Sequence, residues 1–182
     1  MLGNPARMDA LMALAERRGL MVLEDCAQAG GGSFQGQKLG TFGRMGGFSL
    51  NYFKTFTAGD GGLVVTSDEE LFIRAFGMHD QGHKPHRLGT EVGRRDILGM
   101  NFRINEMTGA VALAQLRKLD GITETLRGKK RSLRAALGSM PGVGFRSLND
   151  AEGECGTLCT LIFDDAGHAQ RVAQRLGSKT VS

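Results

Sequence analysis

A helical pattern followed at once by a short apolar run limits the possible folds of this chain more than any other feature. In Asp9–Arg18 the apolar residues recur at helical spacing, and Gly19 is a typical residue just after a helix end. Leu20–Leu23 is wholly apolar and leads into two acids that end at Asp25, which is the pattern of a strand buried on both faces of a parallel sheet. A helix followed by a buried strand predicts an α/β fold with a mainly parallel sheet.

Later segments continue this alternation of helices and strands. Ser67–Glu70 has the hydroxyl-then-carboxylate spacing that opens a helix, here extending to about Phe76. The polar stretch Gly77–Gly99 lacks periodicity and predicts a long loop. The other predicted elements are strands at Gly46–Leu50, Leu63–Thr66 and Thr157–Phe163, a long helix from Asn105 through Leu119 towards Leu137, and a helix at Ala166–Leu176 that ends at Gly177.

A change of pattern at Pro141-Gly142 predicts a second structural unit. Residues 1–120 are expected to belong to one α/β domain. Residues 121–182 are expected to form a connecting helix and the start of a smaller C-terminal α/β domain. With 182 residues, the chain is long enough to bury a core.

Composition and charge exclude several classes of protein. The chain is 41% hydrophobic and 23% charged, as is ordinary for a globular protein, and no apolar run approaches the roughly 18 residues of a spanning helix. The N-terminus lacks the order of a signal peptide, and three cysteines favour reduced thiols, so we predict a cytoplasmic protein. The net charge of +4 is mild, and the basic run Lys129-Lys130-Arg131 predicts a solvated helix face rather than a nucleic-acid site.

One lysine, Lys54, stands between an apolar run and the glycine-rich stretch Gly59–Gly62. Most lysines are surface amines. Here aromatic and apolar neighbours are expected to bury the side chain, which favours the neutral amine that can form a Schiff base with an aldehyde. These neighbours are Phe48, Leu50, Tyr52, Phe53 and Phe56. A further glycine cluster, Gly30-Gly31-Gly32, indicates left-handed backbone or the close approach of another group.

Polar residues near the ends of the predicted strands complete a candidate site. Asp25 ends a predicted parallel strand, at the edge where α/β proteins bind ligands, and Gln28 follows three residues later. Asp25 could instead cap the turn that follows it. Ser49 lies five residues before Lys54 and could hold a phosphate. A lysine, a carboxylate and phosphate-binding hydroxyls are what pyridoxal 5'-phosphate requires, because the carboxylate keeps the pyridine nitrogen protonated.

Four motifs, in order and in spacing, resemble the DegT/StrS family of pyridoxal-phosphate-dependent sugar aminotransferases. They are Leu23–Ala29 (LEDCAQA), Gly40–Ser49 (GTFGRMGGFS), Lys54 with Gly59–Gly62 (GDGG), and Gly99–Arg103 (GMNFR). The resemblance runs from residue 1 to about 120 and more loosely to the end. It implies the aspartate-aminotransferase fold, type I, with residues 1–120 forming part of the cofactor-binding large domain.

The resemblance assigns a role to each candidate residue. Lys54 would hold the cofactor covalently and carry the proton between substrate and cofactor. Asp25 would pair with the pyridine nitrogen, Gln28 would contact the ring, and Ser49 would bind the phosphate. Asn101 would reach the cofactor phosphate of the neighbouring subunit, which implies a homodimer with shared active sites. Relatives that act as dehydratases carry histidine in place of the lysine, so Lys54 favours transamination.

The activity implied by the resemblance is transfer of an amino group, from glutamate, to a keto-sugar. Of the two substrates considered, a keto-octulosonate and a nucleotide-linked sugar, the keto-octulosonate is expected. Regulatory members of the family give an alternative, a cofactor-bound sensor or partner-binding protein without turnover. Because family members are roughly twice this length, the resemblance also implies a chain truncated at both ends, or an inactive remnant.

Three histidines and three cysteines have structural as well as functional interpretations. His79, His83 and His86 could suggest a metal, but Gly82 and Pro85 would break the helix that such spacing needs, so no metal is expected. The histidines could instead contact a sugar. The cysteines are expected to be core residues: Cys26 would pack under the cofactor site, and Cys155 and Cys159 would lie on a strand and point the same way.

Overall fold

The computed structural model describes residues 2–85, 95 and 97–177. Helices and strands occur in runs along this part of the chain, with β1 to β5 and then α2 to α4 in succession. The helices are α1 (Met8–Arg18), α2 (Glu69–His79), α3 (Glu106–Leu116), α4 (Leu119–Leu137) and α5 (Ala166–Leu176). The strands are β1 (Leu23–Asp25), β2 (Ser33–Phe34), β3 (Gln37–Lys38), β4 (Met45–Ser49), β5 (Gly62–Val65), β6 (Val143–Phe145) and β7 (Leu161–Phe163).

The central sheet has the order β1-β4-β5 and is mixed. Strand β1 runs parallel to β4, with Asp25 opposite Gly47, whereas β4 and β5 are antiparallel. The predicted strands at these positions are therefore present. Of the two strand pairs in this sheet, however, only β1 with β4 is parallel. The predicted burial of the apolar run is wrong: Leu20, Met21 and Leu23 are 62%, 77% and 70% exposed. Strand β1 lies at the edge of this sheet, so among the described elements it has a neighbour on one side only.

Helix α2 differs from its predicted bounds at both ends. Its N-cap is Asp68, whose Oδ1 accepts from the backbone N–H of Leu71 (3.1 Å), rather than Ser67. The helix continues to His79, three residues beyond the predicted end, and the ring Nδ1 of His79 lies 2.8 Å from the Phe76 carbonyl oxygen. The predicted loop therefore starts at residue 80, and its residues 86–94 and 96 lie outside the described part.

The predicted long helix after Asn105 consists of two helices, α3 and α4. Asn105 caps α3 through a bond from the backbone N–H of Thr108 to its Oδ1 (2.8 Å). At Lys118 the backbone N–H bonds three residues back, to Gln115, which tightens the turn and ends α3. Leu119, the first residue of α4, lies in the core, where it is 8% exposed.

The C-terminal part contains a strand that the sequence pattern did not predict, β6, which pairs antiparallel with β7. The predicted strand from Thr157 is shorter and begins only at Leu161, so Cys155 and Cys159 do not lie on a strand. Helix α5 has the predicted bounds, because Asp165 caps its start and Gly177 (φ 61°) its end.

The segment Asp150–Leu158 packs against the beginning of the chain. The backbone N–H of Ser33 donates to the carbonyl of Gly153 (2.8 Å), and that of Cys155 donates to Gly3 (2.9 Å). Cys155 is fully buried and joins Cys26 in one apolar cluster, so the predicted burial of both thiols is confirmed. The proposed domain boundary near residue 120 stays a prediction.

The basic run on α4 is only partly solvated. Lys129 and Arg131 are exposed, as predicted, but Lys130 is buried and its Nζ lies 2.7 Å from Oε2 of Glu154, which is also buried. The prediction of a solvated face is therefore wrong for Lys130, because Asp150–Leu158 covers that side of α4. No helix among the described residues is both long and apolar enough to cross a bilayer.

Candidate cofactor site

The carboxyl ends of the parallel strands β1 and β4 carry two of the predicted site residues. Asp25 is the last residue of β1 and Ser49 the last residue of β4, so both lie at the same edge of the sheet. Asp25 is exposed, and its Oδ1 accepts from the backbone N–H of Ala27 (3.0 Å), which is the turn cap considered as an alternative. Its other carboxylate oxygen has no hydrogen-bond partner among the described residues.

The neighbouring acid, Glu24, has a structural role that the sequence analysis missed. Its carboxylate accepts three backbone N–H bonds, from Gly40, Phe42 and Gly43, at 2.7, 2.7 and 2.8 Å. These bonds fix the loop that leads into β4. The two adjacent acids therefore point to opposite sides of β1 and serve different purposes, since successive side chains of a strand alternate.

Lys54 lies in a loop that closes around one buried residue, Leu50. The backbone N–H of Leu50 donates to Gly61 (2.9 Å), and its carbonyl accepts from the N–H of Ala58 and the hydroxyl of Thr57 (3.0 and 2.9 Å). Within the loop, the N–H of Lys54 donates to the Asn51 carbonyl at 2.9 Å. The loop backbone thus holds the lysine at a defined position beyond the end of β4.

The burial predicted for Lys54 is only partly correct. Leu50 and Phe56 are buried, but Lys54 itself is half-buried, and Tyr52 and Phe53 are 62% and 79% exposed. The rings of Tyr52 and Phe53 lie with their centroids 3.8 Å apart and contact each other at the surface of the loop. Leu50 and Phe56 therefore belong to the core below the loop, Tyr52 and Phe53 lie at the surface, and Phe48 is half-buried.

A cleft of about 560 Å³ opens beside the lysine. Lys54 and Gln28 both line it, so two of the predicted site residues share one cavity. Gln28 is exposed, and its Oε1 accepts from the backbone N–H of Leu2 (3.0 Å). The other lining residues are Leu2, Phe53, Thr55, Ile122, Leu126, Thr157 and Leu158. The sequence pattern does not predict the far wall of the cleft, formed by Ile122, Leu126, Thr157 and Leu158, because only the fold brings these segments near Lys54.

The glycines near the lysine have no side chain, which leaves room for other side chains of the protein to pack against them. A Cβ at Gly30 would lie 2.7 Å from the Phe56 ring, and a Cβ at Gly61 would lie 2.9 Å from Ile104. Gly59 and Gly61 also have φ angles of 89° and 104°, which glycine adopts readily. Both predicted reasons for the glycines, left-handed backbone and close approach, are thus confirmed.

Asn101 does not line the cleft and lies instead beside the end of α2. It forms an antiparallel bridge with Asp80, and the N–H of Phe102 donates to the His79 carbonyl (2.9 Å). Arg103 Nε donates to Asn101 Oδ1 at 3.0 Å and lies 3.2 Å from Oδ1 of Asp80, a buried carboxylate. Asn101 itself is exposed.

The histidines of the predicted loop have partners other than a metal. His79 contacts the end of its own helix, and both ring nitrogens of His83 lie near the guanidinium of Arg95. His86 falls outside the described residues. Within the described part of the chain, histidine, cysteine and acidic side chains form no group of three suited to a metal ion.

Three known proteins show how far the similarity extends. GDP-perosamine synthase of Escherichia coli O157:H7 is 40% identical over 118 residues, which are 65% of this chain and 31% of that protein. EpsN of Bacillus subtilis (strain 168) is 32% identical over 181 residues, 98% of this chain and 45% of EpsN. The solved structure of the E. coli GDP-4-keto-6-deoxy-D-mannose-3-dehydratase, with bound hydrated PLP, matches with a TM-score of 0.82 and 24% identity over 97% of this chain and 49% of that one.

The structural match confirms the α/β fold of the aspartate-aminotransferase type that the motifs implied. This chain spans between 31% and 49% of the length of the three proteins. The sequence model of the DegT/DnrJ/EryC1/StrS aminotransferase family matches residues 1–182. The chain therefore belongs to the DegT/DnrJ/EryC1/StrS aminotransferase family.

Proposed function

We propose that the protein is a pyridoxal-phosphate-dependent aminotransferase that transfers an amino group, from glutamate, to a keto-sugar. The observation that carries this proposal is the shared cleft of Lys54 and Gln28, which lies beyond the carboxyl end of β4. An amine there can bind an aldehyde covalently, and an adjacent amide can orient a ring hydroxyl. Membership of the aminotransferase family supports the same chemistry.

The residues present fit this cofactor. A volume of about 560 Å³ lies within the usual range of small-molecule sites, roughly 300–1,000 Å³. Lys54 is half-buried and lines the cleft, and Asp25 retains one carboxylate oxygen that can accept a hydrogen bond from a protonated pyridine nitrogen. Ser49, at the same edge of the sheet, supplies a hydroxyl for a phosphate.

Each residue has a distinct task in the proposed reaction. Bound pyridoxal phosphate supplies an electron-accepting ring that stabilises a substrate carbanion. The Nζ of Lys54 would hold the aldehyde carbon, and as a free amine it would move a proton to and from the substrate carbon. Asp25 would keep the pyridine nitrogen protonated by accepting its hydrogen bond, while Gln28 and Ser49 would orient the ring and the phosphate.

A nucleotide-linked keto-sugar is the substrate that we favour over a keto-octulosonate. The support is the similarity to GDP-perosamine synthase, which is named for a nucleotide-linked product. The cleft beside Lys54 also offers hydroxyls of Thr55 and Thr157 as well as apolar side chains, a combination suited to a partly deoxygenated sugar.

We also propose that two copies of the protein share their active sites, with Asn101 of one subunit reaching the cofactor phosphate of the other. Asn101 lies between Met100 and Phe102 in sequence, and these two apolar side chains are 56% and 58% exposed. Met107, a little further along the chain, is 81% exposed. Exposed apolar surface of this kind is typical of a protein interface. Sedimentation equilibrium of the chain, with and without cofactor, measures whether a dimer forms.

The proposed function is tested by visible absorption of the purified chain with added pyridoxal phosphate. We expect a visible band that is lost in Lys54→Ala and kept in Lys129→Ala, an exposed lysine on α4. Bleaching of the band by glutamate would support the amino-transfer half-reaction with that donor. A band that glutamate and glutamine both leave unchanged would instead favour a cofactor-bound regulator, and a band that survives Lys54→Ala would contradict the role of this lysine.

A further inference from the structure

The contacts of Asn101 determine which end of its amide is presented to solvent. Arg103 Nε lies 3.0 Å from the side-chain amide, and a guanidinium can only donate hydrogen bonds. The amide atom facing Arg103 must therefore be the carbonyl oxygen, which settles the orientation of the amide. The NH₂ group points away from Arg103, and among the described residues it has no hydrogen-bond partner.

Arg103 is itself held by a buried acid. Asp80 is 5% exposed, and its Oδ1 lies 3.2 Å from the same Nε of Arg103. Asp80 also caps the carboxyl end of α2, where the helix dipole already adds negative potential. A buried carboxylate at that place needs a cation beside it, so the position of Arg103 is fixed by the fold.

The backbone keeps Asn101 within reach of this pair. The N–H of Met100 donates to Met78 (2.8 Å), the N–H of Gln81 donates to Met100 (3.0 Å), and Asp80 forms a bridge with Asn101. The segment around Asn101 is thereby attached to the last turn of α2. The backbone of Asn101 cannot move away from Arg103 without breaking these bonds, so the side-chain amide stays within reach of the guanidinium.

We infer that Arg103, anchored by Asp80, is a positioning residue that holds the Asn101 amide with its NH₂ group outward, as a donor for a phosphate group. This inference rests on the proposed function in naming the cofactor's phosphate as the ligand. Arg103 has a second effect at the site, because its charge offsets that of Asp80, which would otherwise repel an anion. In the absence of Arg103 the amide can flip and present its oxygen. This oxygen cannot donate a hydrogen bond to a phosphate.

The inference is tested by NMR of the ¹⁵N-labelled chain titrated with inorganic phosphate. The side-chain NH₂ signal of Asn101 is assigned by its loss in Asn101→Asp. We expect phosphate to shift this signal, and Arg103→Ala to weaken the apparent affinity about tenfold, the equivalent of one charge-assisted hydrogen bond. Arg103→Lys keeps a charge and a donor and should restore most of the affinity. Arg131→Ala removes the same charge from an exposed site on α4 and should leave the titration unchanged.

Two results would overturn the inference: an Asn101 signal that does not respond to phosphate, or an equal response in wild type and Arg103→Ala. If Arg103→Ala does not fold, Arg103→Lys and Arg103→Met decide, because the inference expects affinity to be retained in the first and reduced in the second. This test does not involve Lys54. A chain without a Lys54-dependent absorption band but with an Arg103-dependent phosphate response would reject the proposed function and keep the positioning role.

Discussion

At the scale of single residues, the run Gly30-Gly31-Gly32 is where three distant segments meet. A Cβ on Gly30 would lie 2.7 Å from Phe56, one on Gly31 would lie 2.6 Å from Thr123, and one on Gly32 would lie 2.9 Å from the Cys155 sulfur. Each of these distances is shorter than a normal contact. The absence of side chains in this run therefore lets the lysine loop, α4 and the segment Asp150–Leu158 pack together.

Gly30→Ala is expected to destabilise the protein by about 1–3 kcal/mol, as overpacking of a core does. The physical reason is the contact of the new methyl group with the Phe56 ring, which lies under the loop of Lys54. Urea unfolding followed by circular dichroism measures the change. Gly47→Ala is the matched control, since the nearest atom to its Cβ lies 4.0 Å away. Equal stability of the two variants would contradict the prediction.

At the scale of structural elements, the segment Asp150–Leu158 connects α4 to the beginning of the chain. Glu154 pairs with Lys130, and its carbonyl accepts a bond from Arg127 Nε. On the other side, the N–H of Gln35 donates to the Asp150 carboxylate at 2.7 Å. The segment ends in Thr157 and Leu158, so these contacts also position the far wall of the cleft.

Lys130→Met is expected to lower the free energy of unfolding by about 3–5 kcal/mol, because it leaves the buried Glu154 carboxylate without its partner. The double variant Lys130→Met/Glu154→Leu should recover most of this loss, since it removes both charges. Chemical denaturation of the two variants gives both values.

Arg131→Met serves as the control for Lys130→Met. It breaks the neighbouring ion pair with Glu124, in which both side chains are exposed, and should leave stability nearly unchanged. If Lys130→Met were as mild as Arg131→Met, the pair with Glu154 would not hold the segment in place.

At the scale of the whole molecule, the described part of the chain has two apolar clusters. One contains Cys26 and Cys155 together with Met8, Phe34 and Leu39, and the other contains Leu50 and Phe56 with residues of α3 and α4. Burial raises the pKa of the Cys26 thiol to about 12 and that of Cys155 to about 11. Both thiols therefore stay protonated and unreactive near neutral pH while the first cluster is intact.

Of the three cysteines, only Cys159, which is partly exposed, is expected to react quickly with a thiol reagent at about pH 8 in the native protein. All three should react in denaturant. The number of fast-reacting thiols per chain is the measurement, and Cys159→Ser, which should abolish the fast phase, is the control. Fast reaction of two or three native thiols would show that the first cluster is open.

The same raised pKa values predict an alkaline loss of stability. A thiol with a folded pKa above its ordinary value of 9.0 stabilises the folded state fully below pH 9, and this contribution falls as pH rises towards 11 or 12. Unfolding free energies measured across this window should decline, and the decline should be smaller in Cys155→Ala. An equal decline in that variant would assign the effect to other groups.

Local chemistry made several elements predictable from sequence. Gly19 and Gly177 ended helices as expected, and Ala166–Leu176 had the predicted bounds, since helix periodicity and caps depend on neighbours in the chain. Other predictions were wrong where contacts with residues distant in the chain decided the structure. The turn at Lys118 divides the long helix so that Leu119 packs in the core, and Lys130 is buried because Glu154 lies opposite it.

The sequence by itself determined the α/β fold, the family and the candidate residues, because spacing along the chain and short motifs are local properties. Only the tertiary structure decided which of those residues meet: Lys54 and Gln28 share a cleft, Asp25 also caps a turn, and Asn101 is held by Arg103. The far wall of the cleft was beyond sequence reasoning for the same reason. Thr157 and Leu158 lie about 100 residues from Lys54, and burial and hydrogen bonds formed on folding set their position.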